Sequence, residues 1–312
     1  LAAPRLTKDG GAANRAKVIL LLFLQKKKTS DPSPILDKPI PQAPESAAGR
    51  FRRKGASMSQ HDPVKTAVRT LDVFEVFAAA RGPLTLTELA ARLGSPVSST
   101  HALIRTLQQR GYVYILDARK RVYPTKRLLM MAQQIALNDP VLDRIGPVLA
   151  ALQADTQETV ILGKRQGNAI TYLEVLESRQ TIRYAANPGD VKPLHSSAIG
   201  KAMLGLLPEP ERAKLVHALP LPGVTATTIQ DPDALLADLA GGAARGFFIT
   251  RGENVPDVMA IAISRIVGDE PYGVAVAGPI ARIEAHAETI FAAQRQAGAS
   301  LQQIDAELRG AP

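Results

Sequence analysis

Residues 84–123 read LTLTELAARLGSPVSSTHALIRTLQQRGYVYILDARKRVY. Thr85, with Glu88 three residues on and Leu86, Leu89 and Leu93 behind it, makes a capping-box start to a helix. Gly94 stops that helix, because glycine accepts the left-handed backbone that many helix C-termini require. Ser95-Pro96 is expected to open a second helix as N-cap and first helical residue. Within it Thr100, Leu103, Ile104 and Leu107 recur at i, i+3, i+4 and i+7 and predict a buried stripe. Ser98, His101, Arg105 and Gln109 fall on the opposite face, with side chains suited to phosphates and base edges. Beyond Gly111, Tyr112–Leu116 and Arg121–Tyr123 alternate around Asp117-Ala118-Arg119-Lys120, as two strands of a hairpin with a basic tip. Helix, turn, helix and hairpin in this order predict a winged helix-turn-helix.

Charge along the chain agrees with that reading. The net charge of the 312 residues is +9, but it is unevenly spread. Residues 1–57 carry +8, residues 58–137 carry +6 and residues 138–312 carry −5. A basic block holding the helix-turn-helix is joined to an acidic block that should avoid DNA. Cysteine is absent, which excludes disulfides and thiolate metal sites. The apolar run Val18–Leu24 is far shorter than the roughly 20 residues that span a bilayer. Lys26-Lys27-Lys28 follows it rather than precedes it, unlike a secretory signal. The expectation is a cytoplasmic protein with no membrane contact.

Residues 1–57 are rich in Pro, Ala, Lys and Arg without a sustained period, and read as a disordered basic leader. Met58 stands just ahead of the first helical pattern and is expected to be the native start; the rival reading of residues 1–57 is a basic arm that grasps DNA. From Val64 to Ala80, Ala67, Leu71, Phe74 and Phe77/Ala78 predict an apolar face on the first helix of a DNA-binding domain spanning 64–124. Lys126–Leu137 is a short apolar helix with Leu and Met on more than one face, expected within a linker (125–139) to contribute to a dimer contact.

The remainder, 140–312, reads as an α+β domain with an antiparallel sheet and one covered face. Expected helices are Val141–Gln153, Ser197–Leu207, Glu209–Leu219, Asp233–Arg245 and about Ile280–Gln296. Expected strands are Thr159–Lys164, Ala169–Val175, Thr181–Ala185, Val258–Val267 and Tyr272–Ala277. Catalysis finds little support. His195 and Ser196 are adjacent, which rarely lets a base meet its nucleophile, and the five histidines lack metal-ligand spacing. There is no phosphate loop of the G-x-x-x-x-G-K-[ST] kind. Neither a metal nor a cofactor is expected.

From about Val64 to Leu308 the chain resembles the IclR family of transcriptional regulators. The resemblance is carried by LTLTELAARLGSPVSSTHALIRTLQQRGYV, ETVILGKRQGNAITYLEV, PLHSSAIGKAML, ARGFFITRGENVPDVMAIAISRI and YGVAVAGPIARI, in that order. It implies a winged helix-turn-helix joined by a linker helix to a GAF-like domain that binds a small effector. The chain departs from the family pattern at Ala102, where Arg is common after the motif's His, and at Asp257, where Gly is common. Ala260, Ala275 and Ala277 replace the Ser or Cys of some members, implying an effector larger or less polar than glyoxylate-like acids.

Two sites follow. Ser98, Ser99, His101 and Arg105 lie on about two turns of one helix, the span that fits a major groove. Arg119, Lys120 and Arg121, with Lys65 and Arg69, are expected at phosphates. The effector site is expected where a strand gives way to a helix at PLHSSAIGKA. There the N–H groups of Ala198 and Ile199 make a carboxylate site, with Ser196 or Ser197 adding a hydroxyl and Lys201 a nearby cation. Met259, Ala260, Ala275 and Ala277 are expected to form an apolar wall, and Thr250, Arg251, Glu253 and Asp257 a polar approach loop. The implied partners are a palindromic operator in double-stranded DNA, a small organic acid, and further copies of the chain as a homodimer or dimer of dimers. A second reading is a GAF-like sensor whose N-terminal helical unit binds a protein. Salt dependence separates the two, because DNA affinity falls steeply with salt.

Overall fold

The computed structural model describes residues 64–310; the leader expected over 1–57 and the start expected at Met58 lie outside them. The first helix, α1 (Lys65–Ala80), packs through Val73 and Phe77. Of the predicted apolar face, Phe77 is buried and Phe74 packs against the core, while Ala67, Leu71 and Ala78 are exposed. Arg81 leaves the helix in the left-handed region (φ 51°). In α2 (Leu86–Arg92) the capping box forms as expected, with Thr85 and Glu88 exchanging side-chain and backbone bonds. Gly94 takes φ +55°, and the N–H groups of Gly94 and Ser95 return to the carbonyls of Ala91 and Ala90, a Schellman ending.

The second helix of the turn, α3 (Val97–Gln109), starts one residue later than the pattern suggested. Pro96 is its N-cap with ψ 140°, and no side chain caps it. Proline's fixed φ suits that extended residue as well as a first helical one. Thr100, Ile104 and Leu107 are buried, with Leu103 packed beside them. Strands β1 (Val113–Ile115) and β2 (Val122–Pro124) pair antiparallel, and Leu84 bridges to Val122 at their edge. Val73, Phe77, Leu89, Ile104, Leu107, Val113 and Val122 close one small core. After it, α4 (Arg127–Leu137) buries no residue.

The second half is built on a six-stranded sheet: β3 (Thr159–Gln166), β4 (Ala169–Leu176), β5 (Val191–Pro193), β6 (Phe248–Arg251), β7 (Val258–Val267) and β8 (Glu270–Pro279). Their order is β5-β4-β3-β8-β7-β6, with every pairing antiparallel. Both faces are covered rather than one. Helices α5 (Leu142–Thr156) and α10 (Ala287–Gly310) pack on the face presenting Val160, Leu162, Ile261, Ile263, Val274 and Val276. Against the other face lie α6 (Ala198–Gly205), the flanking α7 (Glu209–Ala218) and α8 (Pro232–Arg245), over Ile161, Ala262, Ala275 and Ala277. A short α9 (Ile280–Ala285) ends at His286, dividing what the pattern read as one closing helix.

Two strand expectations change. Thr181–Ala185 forms no strand, because the Tyr184 carbonyl is taken by the Thr159 hydroxyl at 2.7 Å instead of a ladder N–H. The third strand of that meander is β5, paired with β4. Thr250 and Arg251, expected in the approach loop, are instead the end of the edge strand β6.

Helix α6 lies unusually close to its neighbours, and glycines permit it. A Cβ on Gly200 would sit 2.0 Å from the Leu194 carbonyl oxygen, and one on Gly273 would sit 2.5 Å from Ile199. The segment from Leu194 into α6 is thereby pressed against β3 and β8, where the cavity lies.

Candidate functional site

The turn into α6 is a set of interlocked caps. Ser197 is the N-cap: its Oγ accepts from the Gly200 N–H at 3.2 Å and donates to the Pro193 carbonyl at 2.7 Å. The N–H groups of Ala198 and Ile199 belong to the first turn, where no intrahelical carbonyl is available to them. His195 donates from Nε2 to the Pro222 carbonyl at 3.0 Å, and its burial holds its pKa below the usual histidine value. Ser196 accepts from the Asn254 amide at 3.2 Å.

Beside this turn is a narrow, partly open cavity of about 30 Å³. Ser197, Ala198, Ile199, Thr250, Ala260, Ala275 and Ala277 line it, as expected from sequence, joined by Ile161, Tyr172, Tyr184, Asn254, Val255 and Val258. Three expected positions do not. Met259 packs in the core beneath the opposite face of the sheet, because side chains alternate and Ala260 occupies the cavity side. Arg251 is exposed and bound to Glu284 at 2.7 Å, for the same reason of parity with Thr250. Ser196 is fully buried but is not part of the lining.

Of the missed lining residues, Tyr172 and Val258 carry a signal in their parity with Ile170 and Ala260. Tyr184 carries none, since it sits in an irregular stretch positioned by Thr159. Burial, with the Tyr184 hydroxyl beside it, pushes the Tyr172 phenol up, so it remains protonated.

Lys201 was expected near the site as a cation that could equally be solvated. It is completely buried, its ammonium 2.8 Å from Asp238 and 2.7 Å from Glu253. Glu253 belongs to the loop that carries Asn254 and Val255. That loop is also tied down by hydroxyls: Thr225 donates to the Gly252 carbonyl and Thr228 to the Glu253 carbonyl, each at 2.7 Å. The loop is a fastened wall and not an open approach. Asp257 lies exposed at its far end.

On the helix-turn-helix, Ser98, Ser99, His101 and Arg105 are all exposed along α3. Arg119 and Lys120 are exposed at the hairpin tip, while Arg121 is folded onto Asp117 by contacts of 2.6 and 2.7 Å. Asp117 also accepts from the N–H groups of Arg119 and Arg121, so Arg121 shapes the tip as well as charging it. Lys65 is exposed and Arg69 half-buried on α1. Among the described residues no group of acidic, His or Cys side chains could hold a metal ion, and no helix is long and apolar enough to cross a membrane.

A winged helix-turn-helix whose second helix exposes a polar, partly basic face, followed by an α+β domain with an antiparallel sheet and a small cavity, defines a DNA-binding transcriptional regulator. Comparison with known proteins agrees. The family described as "Bacterial transcriptional regulator IclR C-terminal" matches residues 133–305, and "IclR helix-turn-helix domain" matches residues 66–115. The chain is 30% identical to the HTH-type transcriptional regulator BhcR of Paracoccus denitrificans (strain Pd 1222), over 80% of this chain and 92% of that protein. It is also 30% identical to the transcriptional repressor IclR of Escherichia coli (strain K12), over 74% and 85%. The fold is similar to that of the Thermotoga maritima IclR (TM-score 0.63, 22% identity, 76% of this chain and 98% of that one). It is likewise similar to an IclR homolog of Microbacterium hydrocarbonoxydans complexed with 4-hydroxybenzoate (TM-score 0.62, 23% identity, 79% and 100%). The chain belongs to the IclR family of transcriptional regulators, and it is not an enzyme.

Proposed function

We propose that a small organic acid bound in the cavity beside α6 controls how this regulator engages its operator. The observation that carries this reading is the cavity itself. It gathers free backbone N–H groups, Ser197, Thr250, Tyr172 and Tyr184 around an apolar wall of Ile161, Val258 and three alanines. Such a lining suits a small molecule with one polar end. The carboxylate is received by Ala198 and Ile199, and Ala260, Ala275 and Ala277 leave room for its body. The Microbacterium homolog, complexed with 4-hydroxybenzoate, supports an acid as effector.

On DNA, Ser98, Ser99, His101 and Arg105 read base edges from the major groove, while Arg119, Lys120, Lys65 and Arg69 engage phosphates and Arg121 supports the wing. The protein acts as a homodimer or dimer of dimers on a two-fold operator, in the cytoplasm with its chromosome. The apolar side chains Leu129, Met130, Ile135 and Leu137, exposed on α4, supply part of the contact between copies. Effector binding shifts operator affinity only if the two DNA-binding states hold the acid with different affinities.

The test is footprinting on DNA upstream of the protein's own gene and its neighbours, with and without a panel of small organic acids. Protection of a two-fold sequence that one acid strengthens or weakens is expected. Protection unaffected by every acid, together with unchanged polymerase recruitment, would refute effector control.

A further inference from the structure

The cavity is lined by no residue that is charged at neutral pH. Two lysines stand outside the lining: Lys192, whose ammonium lies 5.7 Å from the Tyr172 ring centroid and is paired with Asp190 at 3.6 Å, and Lys201. The Lys201 ammonium is fully buried and faces two carboxylates, Asp238 and Glu253, so the group is at best neutral and has no positive charge to lend. One oxygen of Glu253, Oε2, is buried there without a hydrogen-bond partner. Burial keeps His195 neutral as well. Anion binding therefore rests on the start of α6, equivalent to about half a positive charge, and on neutral donors.

Thr250 is the clearest of those donors. It is 95% buried, lines the cavity, and its hydroxyl makes no hydrogen bond among the described residues. These groups can solvate one carboxylate. A second would be desolvated against Ile161, Val258 and the alanines with no counter-charge, and with the Lys201 carboxylates nearby. Burying an ion without compensation is heavily penalised.

We propose that the cavity accepts a singly charged carboxylate on an uncharged, largely apolar body and rejects dianions of the same skeleton. This rests on the effector reading above and adds a charge rule to it.

Isothermal titration of the full chain at neutral pH tests it with matched probes: butanoate against succinate, benzoate against terephthalate, and benzamide as the uncharged control. At least one monoanion should bind, with its dianion partner at least about a hundredfold weaker and benzamide weaker than benzoate wherever benzoate binds. Thr250→Val, nearly isosteric, should weaken the monoanion without lowering the melting temperature, and Ala260→Phe should abolish binding. A dianion that binds as tightly as its partner, and is lost in Ala260→Phe, overturns the charge rule and leaves the site standing. Benzamide binding as well as benzoate does the same. Binding by none of the probes, or binding indifferent to both substitutions, overturns the rule and the effector site together.

Discussion

Gly200 and Lys201 stand side by side on α6 and constrain it in different ways. At Gly200 the limit is space, since a methyl group would overlap the Leu194 carbonyl. Gly200→Ala should therefore destabilise the second domain by about 1–3 kcal/mol or more, read as a lower urea midpoint. A midpoint unchanged from wild type would mean that the turn has room to move. At Lys201 the limit is charge. Lys201→Met leaves Glu253 and Asp238 without their cation and should cost about 3 kcal/mol or more, measurable in the same titration.

Glu253 adds a pH dependence. Burial, the leading influence, raises its pKa above the ordinary carboxylate value despite Lys201, so the folded state holds its proton more tightly than the unfolded chain does. Its contribution to stability is complete below the ordinary value and is lost as pH rises through the folded one. The melting temperature of Glu253→Gln relative to wild type should therefore rise between about pH 4 and pH 7. A constant difference would show that Glu253 does not titrate in that window. The lysine itself illustrates what a sequence can carry. Its place on α6 was legible, but its two partners lie 37 and 52 residues away, and no local pattern connects them.

At the scale of elements, the most legible parts were those governed by short-range chemistry. The Thr85–Glu88 box, Gly94 and the α3 stripe each depend on residues within one or two turns. Thr85→Ala should lower the stability of the helix-turn-helix by about 1 kcal/mol, seen as an earlier thermal transition in circular dichroism. Strand parity was half legible. The alternation was visible, but Met259 and Arg251 were placed on the cavity side without a register to fix it, and pairing with β8 and β7 supplies that register. The stretch containing Tyr184 was misread as a strand because its β-forming residues are held by Thr159 and not by a neighbouring strand. The reading helix makes its own prediction. Arg105→Ala should weaken specific operator binding by roughly 1–3 kcal/mol if it reads a base, while Arg119→Ala should act at all sequences and reduce the salt slope by about one. Fluorescence anisotropy at several salt concentrations separates the two, and an unchanged operator affinity removes Arg105 from the readers.

For the molecule as a whole, charge polarity was plain in the sequence, with a basic block ahead of an acidic one. The helix between them was recognised as apolar, and none of its residues is fully buried among the described residues. If copies meet there, Met130→Glu with Ile135→Glu should lower the mass measured by light scattering and weaken operator binding together. An unchanged mass would place the contact elsewhere.

The alternation along β7 and β8 separates two jobs that share the same strands. Ile261, Ile263, Val274 and Val276 face α5 and α10 and hold the domain together, while Ala260, Ala275 and Ala277 face the cavity. If the cavity holds the effector, enlarging or polarising an alanine should alter or abolish what binds there and leave the supporting helices untouched. On that reading a lineage could exchange one chemical signal for another in single mutational steps, without first acquiring a sturdier scaffold.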